Sequence, residues 1–403
     1  MKRVLICSLT YHPFVGGAEV AIKEITDRCD RTAFHFEMIT LRFDSNLPRV
    51  EKIGNVTVHR IGWSVPGGKV SDRSLPWQCK VAKIFFPFTA FWKAIWLHRG
   101  HRFDIVWAMM ANQAGFAALL FTWMYPSPKY FLELQDGRPF GEMKDRQPIL
   151  RLLWPLYRNI YLRADIIKCI SYFLAEQVRM LDYAGPVEVI PNGVDVAKFS
   201  APVPEEKRTE LRSRFNKQPG DVFLFTASRL VLSRGVEDVI EALIHLPAHV
   251  KFLIAGQGDD REKLEHIASG LGVADRVLFA GHVPHTALPA YLHICDIFVR
   301  PSIIEGFGNA FVEAFAAGIP VIATPVGGIP DFLFDPERNP GKNPTGLFCE
   351  VRDPRSIAHA VERYLDDLVL HDRIVENART LVADKYDWDL IAHDMRKKIF
   401  EVV

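Results

Sequence analysis

Short runs rich in β-branched and aromatic residues recur along the whole chain, and stretches with helical spacing separate most of them. The runs are VLICS from residue 4, FEMITL from 36, VTVHRI from 56, DIVWAM from 104, KYFLELQ from 129, DIIKCIS from 165 and VEVIPN from 187, then VFLFTAS from 222, KFLIAG from 251, RVLFAG from 276, DIFVRPS from 296 and PVIAT from 320. A helix between two strands carries the chain back along the sheet, so this alternation predicts parallel sheets with crossover helices, an α/β architecture. At 403 residues the chain exceeds one ordinary core, and it suits two domains of roughly 200 residues each. The polar, proline-bearing stretch PNGVDVAKFSAPVPEE, 191–206, marks the boundary between them. The expected division is 1–190 and 191–385, with a closing segment 386–403. Amphipathic helices are expected from Pro354 onward, the last from about Trp388 to Val403.

Composition removes several function classes. With 49 basic against 48 acidic residues the chain lacks the basic excess of a nucleic-acid binder, and none is expected as a partner. Cysteines 7, 29, 79, 169, 295 and 349 form no C-x-x-C pair and read as reduced, mostly buried thiols of a cytosolic protein. The start, MKRVLICSLTYHPFVGGAEV, has too short an apolar run for a signal peptide and reads as strand, loop and helix. The uncharged stretch from Ile105 to Pro128 is long enough for a bilayer, but Asn112, Gln113 and Gly115 interrupt it. It is expected to be the strand IVWAMM followed by the helix AGFAALLFTWM, with no transmembrane helix.

The segment Pro301–Asp331, PSIIEGFGNAFVEAFAAGIPVIATPVGGIPD, carries the most chemistry. It places Glu305 and Glu313 around a glycine-bearing turn that opens a short helix. Gly306 and Gly308 let the backbone approach a ligand closely, Asn309 is expected to cap the helix, and the free N–H groups of its first turn suit an anion. Gly318 is expected to end the helix, and VIAT to be a buried strand. An E-x7-E pair alone is weak evidence; embedded between this loop, helix and strand it is much more specific.

This segment resembles the donor-binding signature of the family 4 glycosyltransferases, retaining enzymes of the two-domain GT-B fold. The resemblance implies two Rossmann-like doubly wound domains facing a central cleft, with the N-terminal domain holding the acceptor and the C-terminal domain the nucleotide sugar. The closing segment is then a helix crossing back to the N-terminal domain. Glu305 would hold a sugar hydroxyl and Glu313 the ribose, while Phe307, Gly308, Asn309, Ala310 and Phe311 line the donor, 309–311 through their amides.

Other motifs fit the same frame. Gly16 and Gly17, between the first strand and first helix, offer a backbone free of side chains to a diphosphate, although the motif is not G-x-G-x-x-G and also reads as a plain turn. Arg229 and Arg234 flank the SRLVLSRG turn at a strand's carboxyl edge, where two cations would stabilise a departing diphosphate; read alone they could be surface residues. The family pattern has lysine at the second position, and Arg234 keeps the charge but changes the geometry. IAGQGDDREKLE and LFAGHV resemble loops holding the base through backbone groups, which makes Gly256 and Val283 donor-binding candidates. Asp259 and Asp260 read as helix caps, and no D-x-D pair or His/Cys cluster suggests a metal, so a metal-free mechanism and no cofactor are expected. His12, His282 and His285 read as satisfied loop histidines.

In LELQDGRPF, Gln135 stands where many family members carry a histidine against the transferred sugar. Gln135 can hydrogen bond but cannot shuttle a proton. Asp136 is the nearest carboxylate on the acceptor side, or equally a turn residue. KVAKIFFPFTAFWKAIWLHRGHR, 80–102, combines Lys/Arg with Phe/Trp and no acid. It reads either as a helix lying at a membrane surface or as one burying its aromatic side under the sheet.

The expected activity is transfer of a hexose from a nucleoside diphosphate sugar to a glycan or lipid-linked acceptor, by a cytoplasmic protein peripheral at the inner membrane face if the first reading of 80–102 holds. A GT-B sugar-nucleotide epimerase and a non-catalytic nucleotide-sugar-binding protein are the alternatives. Base, sugar and acceptor are not legible.

Overall fold

The computed structural model describes residues 1–68, 70, 75–140 and 152–403. It divides into two compact units, Met1–Asn192 with Trp388–Val403, and Gly193–Asp387. Each is an α/β unit built on its own sheet.

The first unit holds β1 (Lys2–Cys7), β2 (Phe34–Leu41), β3 (Val50–Ile53), β4 (Val56–Ile61), β5 (Ile105–Met109), β6 (Lys129–Leu134), β7 (Ile166–Cys169) and β8 (Val187–Val189). Their order across the sheet is β3-β4-β2-β1-β5-β6-β7-β8, and every pair is parallel except β3 with β4. β3 is absent from the strands expected from sequence. It is a four-residue antiparallel edge strand with exposed and half-buried positions alternating, joined to β4 by Gly54 and Asn55, so no apolar run announces it. Helices α1 (Gly17–Asp27), α2 (Trp77–Gly100) and α3 (Gln113–Met124) follow. The apolar stretch after Ile105 is strand and helix, with Asn112 Oδ1 accepting the Ala114 N–H at 2.8 Å to cap α3. Helix Trp388–Met395 and the π-helical turn Arg396–Phe400 belong to this unit, where Trp388, Ile391, Met395 and Phe400 join the core of β1, β2 and β5.

The second unit contains β9 (Val222–Ala227), β10 (Val250–Ala255), β11 (Val277–Gly281), β12 (Ile297–Arg300), β13 (Val321–Ala323) and β14 (Leu347–Phe348). The order is β11-β10-β9-β12-β13-β14, all parallel. Counted from β9 this is the doubly wound order 3-2-1-4-5-6, whose connections reverse direction between β9 and β12. Crossovers diverge to opposite faces at such a reversal, and ligands of doubly wound sheets bind at the carboxyl ends of the two strands beside it, here β9 and β12. The first sheet reverses in the same way between β1 and β5. All six cysteines are buried free thiols.

Candidate functional site

The ends of β9 and β12 gather the charged residues of the second unit. β12 is buried throughout, and its last residue, Arg300, is only 6% exposed. A guanidinium so placed needs acceptors. Nη2 donates to Glu305 Oε2 at 2.9 Å and Nη1 to the Ala227 carbonyl, the last of β9, at 3.3 Å. The Phe311 ring lies 4.3 Å from the guanidinium carbon. Burial lowers the Arg300 pKa to about 10, with Glu305 the main opposing influence, so the group stays cationic at neutral pH.

Glu305, itself 8% exposed, also receives Arg234 Nη1 at 2.6 Å and Ser302 Oγ at 3.3 Å, both on Oε2. None of these bonds uses Oε1. Arg234, expected on a diphosphate, is thus held by Glu305 and by the Ile304 carbonyl at 3.4 Å. Arg229 is exposed and, among the described residues, has no side-chain hydrogen bond or ion pair. Two arginines thus share the single charge of Glu305.

The helix Asn309–Ala317 starts differently from the expectation. Its N-cap is Gly308, not Asn309, and Asn309 is the first helical residue. At φ 91° Gly308 occupies a conformation costly for other residues, and a Cβ there would lie 2.5 Å from the Phe311 ring and 2.8 Å from Arg300 Nη2. The Phe311 N–H, expected to face a ligand, turns back to the Gly308 carbonyl at 3.0 Å. Phe307 packs in the core against Phe332 and Tyr386, so only its backbone is available to the site. The helix ends at Gly318. Glu313, 7% exposed, receives His285 Nε2 on Oε1 at 2.9 Å, while His285 also meets Lys198 Nζ at 3.3 Å.

Gly256 and Val283 follow β10 and β11. The Gly256 N–H donates to the Gly281 carbonyl at 2.8 Å, tying the two loops together. Asp260 stands at the N-cap of its helix, but its carboxylate accepts the Leu232 N–H at 2.9 Å instead of a helix amide. That bond fixes the arginine-bearing turn to the β10 loop.

In the first unit Gly16 and Gly17 are exposed at the start of α1, and the Glu19 carboxylate accepts the Gly16 N–H at 2.8 Å and the Thr10 hydroxyl. Beside them, at the ends of β1 and β5, lies a cavity of about 150 Å³ lined by Thr10, Glu19, Lys83, Met110 and Asn112 among others. Gln135 lies beyond β6 in a reciprocal amide pair with Asn192, at 3.0 and 2.8 Å, and donates to Glu133 Oε1 at 2.7 Å. Glu133 and its register partner Lys168 form a fully buried ion pair. Asp136 accepts the Arg138 N–H at 3.2 Å and pairs with its guanidinium, which is the turn arrangement.

Sequence reasoning passed over Arg300, Ser302 and the Glu133–Lys168 pair. For Arg300, Glu133 and Lys168 the signal was present, since a charged residue inside an otherwise apolar buried strand needs a partner, whereas Ser302 is uncharged and lies beyond its strand.

Two family models match the chain, Glycosyltransferase Family 4 over residues 15–198 and Glycosyl transferases group 1 over 207–381. An uncharacterized glycosyltransferase of Methanocaldococcus jannaschii is 27% identical, across 97% of this chain and 96% of that protein. The GDP-mannose-dependent alpha-(1-6)-phosphatidylinositol monomannoside mannosyltransferase of Mycobacterium tuberculosis is 33% identical over 59% of this chain and 63% of its own length. Among solved structures, the sucrose-phosphate synthase of Thermosynechococcus elongatus superposes with a TM-score of 0.83 at 21% identity, covering 100% of this chain and 99% of that one.

Proposed function

The chain belongs to the family 4 glycosyltransferases, with the GT-B fold, and from that premise we propose that it is a retaining, metal-independent hexosyltransferase using a nucleoside diphosphate sugar. The observation that carries the reading is the Arg300–Glu305–Arg234 cluster at the switch point of the second sheet. Cleavage of the glycosidic bond builds negative charge on the departing diphosphate. Arg229, Arg234 and the amino end of the Asn309–Ala317 helix stand where a fixed positive field lowers the energy of that charge, taking a metal's role. Glu305, oriented through Oε2 by two arginines, offers Oε1 to a sugar hydroxyl. Glu313, held by His285, offers Oε2 to the ribose.

The acceptor, a glycan or a lipid-linked saccharide, binds the first unit, with the Gly16–Gly17 loop and Gln135 as its candidate contacts on the sugar and phosphate. Its hydroxyl oxygen bonds to the anomeric carbon on the face the phosphate leaves, and its proton passes to the leaving phosphate oxygen. No enzymic nucleophile is needed for this front-face path. Support comes from the charge arrangement and from the relative whose name specifies GDP-mannose.

The test is a screen of UDP, GDP and ADP sugars with excess chelator, following binding by calorimetry and nucleotide release with time. Chelator-resistant release from one donor is expected. Dependence on a divalent metal overturns the metal-free mechanism, and tight binding with no turnover in the presence of saccharide and lipid-linked acceptors favours the non-catalytic reading.

A further inference from the structure

Helix α2 is amphipathic in an inverted sense. Its buried side mixes small residues, Cys79, Ala82, Ala90 and Ala94, with Phe86, Ile95 and Leu97. Its aromatic side is not buried under that sheet: Trp77, Ile84, Phe85, Phe88, Trp92 and Trp96 are each more than half exposed. At three to four residues apart over most of its length, these side chains form one stripe along a rod about 36 Å long. Patches of this size on a soluble surface are uncommon.

The charges that α2 itself carries are of one sign. Lys80, Lys83, Lys93, Arg99 and Arg102 lie on or just after α2, and the sequence from Trp77 to Phe103 contains no Asp or Glu. Lys80, Arg99 and Arg102 are exposed, and Lys93 Nζ stacks 3.9 Å over the Trp96 ring. His98, packed 4.6 Å from Tyr125 ring to ring, brings the end of α2 to the end of α3, where Trp123 and Met124 are again half exposed. Among the described residues no helix is long and apolar enough to cross a membrane.

We propose that the exposed face of α2 docks this protein onto an anionic lipid surface, with the helix lying in the interface. Tryptophan favours that zone because its ring is apolar and its N–H polar, and the lysines and arginines meet the headgroup charge. The exposed Lys80 and Arg99 match an anionic headgroup layer, and α2 itself carries no acid that such a layer would repel.

Flotation with phosphatidylcholine vesicles, with and without about one quarter phosphatidylglycerol, tests this. Full-length protein is expected to float with the anionic vesicles and to release in high salt. Trp92→Ala with Trp96→Ala is expected to weaken that binding about tenfold or more, and Lys80→Gln with Arg99→Gln to abolish the preference for anionic lipid. Circular dichroism of these surface variants checks the fold, and sugar-nucleotide binding by the same samples reports the transferase reading separately. No flotation of the wild type, or unchanged flotation of the tryptophan variant, overturns the proposal. So does a concentration-dependent dimer that the tryptophan variant dissociates without any vesicle binding, which would make the stripe a self-association face.

Discussion

Arg300 Nη2 and Glu305 Oε2 lie 2.9 Å apart, both side chains at least nine-tenths buried, at the carboxyl end of the central strand pair of the second sheet. The pair makes Glu305 both a structural counter-ion and a candidate ligand contact, two roles that different substitutions separate.

Glu305→Ala is expected to abolish transfer and also to cost about 3–5 kcal/mol, because Arg300 is left charged without its partner. Glu305→Gln keeps the shape and most of the stability but is expected to lose most turnover. Urea denaturation read beside turnover checks both. Full activity in the Gln variant would remove the carboxylate from the chemistry.

Arg229→Ala should leave stability within about 0.5 kcal/mol of wild type, since the side chain is exposed. It should weaken nucleoside diphosphate binding about tenfold or more, the scale of one charged hydrogen bond. Calorimetry with the free nucleoside as control decides the matter: equal losses for both ligands would rule out a phosphate contact.

Glu133→Ala or Lys168→Ala is expected to destabilise the first unit by about 3–5 kcal/mol, each leaving one buried charge alone. The double change Glu133→Leu with Lys168→Met should cost far less than the sum, because neither charge then remains. Gln135 loses an acceptor in both Glu133 variants, so slower turnover with unchanged nucleotide affinity is the expected kinetic result.

Asp238 has its pKa raised to about 6, chiefly by burial, and among the described residues Oδ2 has no hydrogen-bond partner. A carboxyl that binds its proton more tightly folded than unfolded favours the folded state at low pH. That contribution is fully present below about pH 4 and is lost as pH rises through about 6. Wild type should therefore gain stability relative to Asp238→Asn as pH falls from 6 toward 4. Melting temperatures of both proteins across this range provide the check, and a constant difference would refute it.

Much of this protein was determined by sequence alone. Alternation of apolar runs with helical periods points to parallel sheets, since the inner strands are buried on both faces and read as near-continuous hydrophobicity. The edge strand β3 and the two-residue β14 escaped because neither has enough buried length to leave a pattern. Glycines, acids and arginines around Glu305 were visible as residue types in order. What tertiary structure alone decided is pairing. Arg300 and Arg234 meet on one oxygen of Glu305, His285 reaches Glu313 across 28 positions, and Glu133 finds Lys168 35 positions away. The aromatic side of α2 likewise became an outer face only when its small residues were seen against the sheet. Periodicity follows from local backbone geometry and can be read along a chain, whereas the neighbour of a buried charge is fixed by strand order and register, which no local stretch contains.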